Sequence, residues 1–306
     1  MKSISKIKHK LENPIVTIGT FDGVHLGHQK IMQTLVERAR AIDGVSVVIT
    51  YHPHPLEILH KRHFPYLLTE KVKKEEFLKK IGIDYILWLD FNEELVNLSP
   101  KDFIKEYFVD KLAAEEIIIG YDWHFGKNRK GDYHLLRKFE KIFNYKVDMV
   151  KEVRIGNEIV SSTKIREYIR KGSIELAKEM LGRDYSILGK VTQGDKVGRQ
   201  LGFPTTNLKP IEPRKFLPQC GVYLTKIQFK QHEMWGLTNI GVKPTIKRSN
   251  RKKFIETYIF DFNKEIYSEE IEIFFIKKIR NEKKFKSKEE LTNQIKSDEA
   301  DARNLL

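Results

Sequence analysis

Residues 16–40 read VTIGTFDGVHLGHQKIMQTLVERAR, and this stretch predicts a strand, a glycine-rich turn and a helix in succession. The β-prone run 15–18 leads into a turn over residues 19–23, and the helix is expected to begin near Gly27. Backbone N–H groups and the positive end of the helix dipole face a ligand at such a helix start, so the stretch predicts a phosphate site. Apolar residues then recur at four-residue spacing, as on the buried side of an amphipathic helix: Ile31, Leu35 and Ala39.

Two histidines, His25 and His28, lie at the predicted start of this helix. Their three-residue spacing places both imidazoles on one side of the first turn, and Gly27 between them lets the backbone come close to a ligand. The two rings can donate hydrogen bonds to a polyphosphate whose charge grows during a reaction. An isolated HxxH pair usually marks ordinary loop histidines, but the strand–turn–helix context favours a functional pair here.

The run GTFDGVHLGH, residues 19–28, resembles the HxGH signature of the nucleotidyltransferase superfamily. More narrowly, it resembles the bacterial bifunctional riboflavin kinase/FMN adenylyltransferases, which usually carry Asn where this chain has Thr20. The resemblance implies a site for adenylyl transfer in which His25 and His28 are catalytic. Its implied ATP contacts on this turn are Gly19, Phe21, Gly23, His25 and His28.

Length and composition limit the classes of protein to which this sequence can belong. A length of 306 residues favours two domains, and a hydrophobic content of 40% is enough for packed cores. No apolar run approaches the roughly 20 residues of a membrane span, and the basic N-terminus lacks the apolar segment of a signal peptide. Cys220 is the one cysteine of the sequence, which excludes an internal disulfide and thiolate zinc sites. We expect a cytoplasmic protein without a membrane partner.

A formal net charge of +14 raises the question of nucleic-acid binding. The lysines are interleaved with 42 acidic residues, as on a solvated surface, and a basic surface also steers ATP and phosphorylated substrates. We expect small-molecule partners rather than nucleic acid. The oligomeric state, a monomer included, is left open.

Strands and helices alternate in the first half of the chain. Strands are predicted over residues 15–19, 45–50, 85–89, 116–120 and 146–150, and helices over 27–41, 70–81, 100–113 and 132–143. This alternation predicts a Rossmann-like α/β domain with a mostly parallel sheet. Because ligands bind at the carboxyl ends of such strands, the chemistry is expected in the loops that follow them.

The loop after the second strand contains His52 and His54 on either side of Pro53. An HxH pair suits a metal, but no further ligands are evident nearby, and a rigid proline-shaped loop is the plainer interpretation. The family resembled here has a similar loop in its adenylyltransferase site. That resemblance implies a flavin contact for His54.

The run GYDWHFGKNRKGD, residues 120–132, nearly matches a P-loop. Its glycines are separated by five residues rather than four, and Asn128 stands where that motif needs Ser or Thr, so we reject the P-loop. The run resembles the family's GxDFxFG…GD element, which implies an ATP contact for Asp122. Trp123, in place of the usual Phe, and Phe125 would wall the flavin ring. Core aromatics beside a turn aspartate are the alternative.

Three residues with hydroxyl side chains, Ser161, Ser162 and Thr163, precede a short helix that should stop at Gly172. Such residues are routine helix caps, and with Arg166 they also form a good cradle for a polyanion. The run resembles the family's SSTxIR motif, which closes over the ATP phosphates opposite the paired histidines. The implied ATP contacts are Ser161, Ser162, Thr163 and Arg166.

The sequence pattern changes after residue 182, from alternating strands and helices to successive strands. Extended runs over residues 185–192, 221–229, 234–240, 254–262 and 271–278 follow one another with short loops between them. This pattern predicts an antiparallel barrel or sandwich, and a capping box predicts a terminal helix after Ser287. We place the domain boundary between residues 183 and 184, giving domains 1–183 and 184–306.

The chemical signal of the second domain is GFPTTN, residues 202–207. Alternate residues of an extended segment project to one side, so the Thr205 hydroxyl and the Asn207 carbonyl can both coordinate Mg²⁺. An ordinary turn and strand are the alternative. The run resembles the riboflavin kinase signature GFPTAN, with Thr206 in place of Ala and facing away from the metal. The implied ATP contacts of the kinase are Gly194, Gly198, Gly202, Thr205 and Asn207.

A glutamate follows on the strand KFIETYIFDF, residues 253–262. Glu256 shares one face with Tyr258 and Phe260, and if that face is inward, burial would raise its pKa and suit it to general-base work. A solvated position at the barrel rim is the alternative. The matching glutamate is the catalytic base in the family. Arg280, in a run that resembles the family's RDExxF segment with Asn281 for Asp, is a candidate flavin contact.

The motifs occur in the family's order over nearly the whole chain. The resemblance implies that the second domain phosphorylates riboflavin with ATP to give FMN. The first domain would then transfer AMP from a second ATP to FMN, releasing pyrophosphate and FAD. Two alternatives stay open: adenylylation of a nicotinamide or pantetheine phosphate by the same first domain, and a non-enzymatic RNA-binding protein with a small barrel.

Overall fold

The computed structural model describes residues 1–4, 11–59, 66–193, 198, 201–242 and 253–306. The chain packs as two compact units, the first comprising Met1–Pro65 and Lys71–Ser161 and the second comprising Tyr66–Glu70 and Ser162–Leu306. The predicted boundary between residues 183 and 184 lies inside the second unit. A unit of packing is not necessarily a unit of function, and the functional boundary stays a prediction.

Six strands among the described residues form the sheet of the first unit, in the order β1-β4-β3-β2-β5-β6. All five neighbouring pairs run parallel, which confirms the predicted parallel sheet. The short first strand was not predicted. The strands are β1 (Lys2–Ile4), β2 (Ile15–Ile18), β3 (Ser46–His52), β4 (Tyr85–Asp90), β5 (Glu116–Gly120) and β6 (Lys146–Val150), and β7 (Arg154–Ile155) and β8 (Glu158–Ile159) form a small antiparallel hairpin.

The helices of the first unit begin with α1, which follows the glycine-rich turn. The helix predicted over residues 100–113 differs from the structure, because a short α-helix passes directly into π-helical turns over Ile104–Asp110. A hydrogen bond from the Lys111 amide to the Glu106 carbonyl has the wider i+5 spacing of these turns. The α-helices are α1 (Leu26–Ala41), α2 (Pro55–Leu59), α3 (Lys71–Ile81), α4 (Glu93–Asn97), α5 (Pro100–Phe103) and α6 (Tyr133–Phe143).

Apolar side chains pack on both faces of this sheet. Val16 and Ile18 of β2 lie in one core cluster, and Ile15 lies in the other, because successive side chains of a strand point to opposite faces. α1 covers the second face. The stripe predicted for α1 is buried there, as expected: Ile31, Leu35 and Ala39.

The second unit is a closed antiparallel barrel in the order β10-β13-β12-β11-β14-β9, which confirms the predicted β class. Three helices accompany it in the described part of the chain, and α8 was not predicted. No described helix is long and apolar enough to cross a membrane. The elements are α7 (Ser162–Lys171), α8 (Ile174–Leu181), β9 (Tyr185–Thr192), β10 (Thr205–Pro210), β11 (Gly221–Phe229), β12 (His232–Val242), β13 (Lys253–Ile259), β14 (Glu270–Arg280) and α9 (Lys288–Arg303).

The barrel has a distinct inner and outer face. Thr225, Thr238 and Thr257 are fully buried and hydrogen-bond to one another in series, at 2.8 Å and 3.0 Å. Thr257 alternates with Glu256 along β13, so Glu256 lies on the opposite, outer face. Tyr258 and Phe260 of that outer face pack with Ala302 of α9. The inward orientation considered for the Glu256 face is therefore wrong.

The segment Tyr66–Glu70 is built into the second unit. Leu67 exchanges backbone hydrogen bonds of 2.8 Å with Arg214 and Phe216. The Glu70 carboxylate and the Lys215 ammonium lie 2.8 Å apart, and their side chains are only 5% and 2% exposed. Lys215 also donates to the Leu68 carbonyl at 2.8 Å. A buried ion pair thus joins this segment to the barrel.

Candidate active sites

The turn between β2 and α1 has an unusual backbone. Phe21 and Val24 have φ values of 46° and 39°, in the left-handed region that a bulky or β-branched residue rarely occupies. Both side chains are almost fully buried, which holds the turn in place. Residues in such conformations cluster at functional sites. Phe21 lies within the predicted phosphate turn, and Val24 directly follows it. Gly23, with a φ of 91°, lies between them.

His25 is the N-cap of α1, and its Nδ1 accepts a hydrogen bond from the His28 amide at 3.4 Å. Because Nδ1 is the acceptor, a neutral His25 ring carries its proton on Nε2 and donates from that atom. The rings of His25 and His28 are stacked, with centroids 3.6 Å apart and planes inclined by 20°. The structure therefore brings the two predicted histidines together at the helix N-terminus.

Gly27 makes room for this stacked pair. A Cβ built at Gly27 would lie 3.2 Å from two atoms of the His25 ring. The sequence predicted a close approach of the backbone to a ligand, whereas the close approach seen here is to the histidine itself. Phe21 contacts the pair from another side, with its ring edge-on to His28 at a centroid distance of 5.2 Å.

A buried lysine that the sequence analysis missed supports the same turn. Lys74 of α3 is 6% exposed and donates to the Thr20 carbonyl at 2.7 Å. Burial lowers the pKa of Lys74 to about 8, while the nearby Asp22 carboxylate acts in the opposite direction. Lys74 stands among four other lysines of α3, so its position in the sequence carries no distinguishing signal.

The predicted flavin contacts of the first unit have local roles. His54 caps α2, since its Nδ1 accepts from the Leu56 amide at 3.2 Å. Trp123 and Phe125 stack on each other with centroids 4.6 Å apart, and Phe125 is 4% exposed within the core. Asp122 is exposed after the end of β5. Flavin or nucleotide contacts for these four residues stay predictions.

The hydroxyl-rich segment spans the two units of packing. Ser161 ends the first unit, and Ser162 begins both the second unit and α7. Thr163 is exposed in the first turn of α7. Arg166 is 9% exposed, and its Nε donates to the Tyr66 carbonyl at 3.0 Å within the second unit. Contacts of this segment with ATP stay predictions.

The second candidate site is a row of polar residues on the outer face of the barrel. Asn207 of β10 pairs with Glu256 of β13, and Glu256 pairs in turn with Asn239 of β12. The Thr205 hydroxyl donates to Glu256 Oε1 at 2.7 Å. Thr206 points to the other face, as predicted, where its hydroxyl contacts the Thr257 carbonyl at 3.4 Å.

A pocket of about 300 Å³ adjoins this row, lined by Gly202, Pro204 and Thr205 together with residues 262–267. Gly202 has a φ of 85°, a left-handed conformation that suits glycine. Gly198 lies against the same loop and precedes it, whereas Gly194 lies outside the described residues. Both Thr205 and Thr206 line this pocket, so it lies at the start of β10 and meets the row at Thr205.

The donor set of this row suits a hard cation. No described group of three or more His, Cys, Asp or Glu side chains could hold a metal alone. Thr205 and Asn207 instead supply hydroxyl and amide oxygens, and the Glu256 carboxylate lies beside them. Mg²⁺ prefers oxygen ligands and often completes its shell with substrate phosphates and water. The residues present therefore fit Mg²⁺ bound together with ATP.

Arg280, the candidate flavin contact, forms an ion pair with the terminal helix. Its Nε and Nη2 both donate to the Asp298 carboxylate of α9, at 2.7–2.9 Å. Asp298 is 2% exposed, so the pair anchors the terminal helix to β14. A flavin contact for Arg280 stays a prediction.

Both halves of the chain match known families. Residues 7–164 match the family described as FAD synthetase, and residues 181–306 match the family described as riboflavin kinase.

Curated relatives named bifunctional riboflavin kinase/FMN adenylyltransferase match over nearly the full length. The relative from Buchnera aphidicola subsp. Schizaphis graminum is 40% identical over 97% of this chain and 96% of its own. The relative from Bacillus subtilis is 35% identical, covering 97% and 93%. The relative from Escherichia coli K12 is 33% identical, covering 95% and 92%.

A solved structure is similar over nearly the whole chain. It is described as a macrolide-efflux protein from Streptococcus pneumoniae, and it matches with a TM-score of 0.89 and 29% identity. The match covers 99% of this chain and 98% of that protein. The two chains therefore share the same complete two-part fold.

Proposed function

The chain belongs to the bifunctional riboflavin kinase/FMN adenylyltransferase family, and we propose that its two activities reside in the two sites described above. The protein phosphorylates riboflavin to FMN with ATP and transfers AMP from a second ATP to FMN, giving FAD and pyrophosphate. One observation carries the assignment. A stacked histidine pair at a helix N-terminus lies in one half of the chain, and the row of polar residues beside a pocket lies in the other half. Residues 1–183 would form the adenylyltransferase domain and residues 184–306 the kinase domain.

The kinase step needs a base, and Glu256 fits that role. Its carboxylate takes the proton of the terminal ribityl hydroxyl as that oxygen attacks the γ-phosphorus of ATP, so that ADP leaves. The Thr205 hydroxyl donates to Oε1, which leaves Oε2 for the incoming proton. Since its proton is directed at Glu256, the Thr205 oxygen keeps lone pairs for a cation.

The nucleotide of the kinase step would occupy the pocket beside Gly202 and Thr205. Thr205 and Asn207 would hold Mg²⁺. When bound there, Mg²⁺ neutralises the phosphate charge of ATP.

The adenylyl transfer needs no base from the protein. The FMN phosphate is already an anion, and one of its oxygens attacks the α-phosphorus of ATP while pyrophosphate leaves. His25 and His28 would donate hydrogen bonds to the charge that grows on the phosphate oxygens. The positive end of the α1 helix dipole adds to the same stabilisation.

Product analysis tests both assignments. Purified protein would be incubated with riboflavin, ATP and Mg²⁺, under air and with reduced flavin, and the flavins separated by chromatography. Successive appearance of FMN and FAD supports both sites. FMN alone would contradict the flavin role of the histidine turn and redirect the search to nicotinamide or pantetheine phosphates. No product in either condition would overturn the proposal, and a salt-sensitive RNA shift would then favour the RNA-binding alternative.

A further inference from the structure

Asn239 stands out among the buried polar groups of the barrel. Its side-chain Oδ1 is inaccessible to solvent and has no hydrogen-bond partner in the described part of the chain. A buried acceptor without a donor costs folding free energy, and native proteins contain few of them. An amide kept in such a position is therefore a candidate ligand contact rather than a stabilising group.

The neighbours of Asn239 supply no donor. On one side, β12 pairs Asn239 with Val222 of β11, an apolar residue. On the other side, it pairs Asn239 with Glu256, whose carboxylate is an acceptor and already receives the Thr205 hydroxyl. Directly paired residues of antiparallel strands point to the same face, so the Asn239 amide stands beside the proposed catalytic base.

The strand order divides this row into two sides. Thr205 and Asn207 lie on β10, Glu256 lies on the central strand β13, and Asn239 lies on β12. Two successive cross-strand steps separate Asn207 from Asn239 by roughly 10 Å. Two oxygen ligands of one Mg²⁺ lie at most about 4 Å apart, so Asn239 does not belong to the cation site of β10.

We propose that Asn239 binds the 3′- or the 4′-hydroxyl of the ribityl chain of the kinase substrate through its buried Oδ1. This inference rests on the kinase function proposed above. The terminal hydroxyl of the flavin would lie at Glu256, the ATP phosphates on the β10 side, and the remaining polyol chain on the β12 side. A polyol supplies the donor that Oδ1 lacks, and its capture orients the attacking hydroxyl toward the base.

The test combines a protein variant with substrate analogues. In Asn239→Ala, kcat/KM for riboflavin should fall roughly tenfold, the loss of one substrate hydrogen bond, while FAD formation from supplied FMN is unchanged. Analogues of riboflavin that lack the 3′- or the 4′-hydroxyl should be poor substrates for the wild type. On one of the two, Asn239→Ala should show no further loss. Equal proportional losses on both analogues in both proteins would overturn the inference.

A stability measurement separates binding from a structural role. Because Oδ1 has no partner among the residues that the structure describes, Asn239→Ala should keep or raise the melting temperature. Gln228→Ala is the control, since that amide of β11 donates to the Lys230 carbonyl far from the row, and it should leave kcat/KM unchanged. A lowered melting temperature together with weakened phosphorylation of all three flavins would show a structural residue instead. If the wild type phosphorylates no flavin, the proposed function fails. If the wild type phosphorylates riboflavin and Asn239→Ala does so equally well, the proposed function stands and this inference alone fails.

Discussion

At the residue scale, His25 combines a structural role with a proposed catalytic one, and substitutions can separate them. Its Nδ1 caps α1 through the His28 amide, whereas its Nε2 is the donor proposed for adenylyl transfer. In His25→Asn the side-chain oxygen can still cap the helix. We expect this variant to keep the stability of the wild type and to lose adenylyl transfer.

The companion variant His25→Ala should lose both properties, with the unfolding free energy lower by about 1 kcal/mol because the cap is gone. Chemical denaturation and FAD formation from FMN would be measured side by side. Full adenylyl transfer in His25→Asn would contradict the catalytic role of the imidazole. An unchanged stability of His25→Ala would contradict the capping role.

Lys74 predicts a pH-dependent stability. Its pKa is about 8 in the folded protein and returns to the ordinary 10.5 on unfolding. Between these values the unfolded chain binds more protons, so the contribution of Lys74 to stability rises with pH across this window. Relative to Lys74→Met, the wild type should gain up to about 3 kcal/mol of unfolding free energy from below pH 8 to above pH 10.5.

The comparison requires a matched lysine on the same helix. Lys80 is exposed on α3, and Lys80→Met should keep a constant difference from the wild type across that range. Denaturation at about pH 7.5 and about pH 9.5 is sufficient to see the effect. A difference between wild type and Lys74→Met that does not change with pH would show that the buried ammonium is not depressed in pKa.

The sequence predicts residue types at the sites better than their orientation. Alternation along β13 separates Glu256 from Thr257, but it cannot tell which of the two faces is inward. Both faces of β13 carry apolar side chains, because α9 packs on the outer face and the barrel core lies against the inner one. Lys74 and Asn239 escaped prediction because only tertiary packing buries them.

At the element scale, the segment Tyr66–Glu70 depends on one buried ion pair. Glu70 and Lys215 are almost inaccessible, and Glu70 also accepts from the Leu188 amide of β9 at 3.2 Å. Removing one partner of such a pair leaves an uncompensated buried charge. We therefore expect Glu70→Gln to lower the unfolding free energy by about 3 kcal/mol.

An exposed pair in the same unit is the control. Glu167 and Lys171 lie 2.8 Å apart on the surface of α7, where solvent screens the attraction. Glu167→Gln should therefore leave the unfolding transition close to that of the wild type. Equal effects of the two substitutions in chemical denaturation would contradict the importance assigned to burial.

Most elements with a strong period were predicted, α8 being an exception, and short or locally ambiguous ones were not. The stripe of α1 and the runs of β9 and β11 each contain a clear pattern. β1 has three residues, and its pairing with β4 bridges a long stretch of sequence, so no local signal marks it. α8 does contain a signal, since its buried residues recur at helical spacing: Ile174, Ala177 and Leu181.

At the scale of the whole molecule, the chain has two chemistries with different requirements. In the proposed assignment, adenylyl transfer uses hydrogen-bond donors at a helix N-terminus, and phosphorylation uses a base and a cation beside a pocket. The motif order along the chain predicted this division, and both family matches agree with it. The placement of individual substrate atoms needs packing information that motif order does not contain.

Because the sites are separate, their defects should be separable. His28→Ala removes one ring of the stacked pair and should stop FAD formation while riboflavin is still converted to FMN, which then accumulates. Asn207→Ala removes a proposed cation ligand, so it should stop FMN formation while supplied FMN is still adenylylated to FAD. Chromatography of the flavins after incubation with ATP and Mg²⁺ measures both steps. Loss of both activities in either variant, with circular dichroism unchanged, would contradict the assignment of one reaction to each half of the chain.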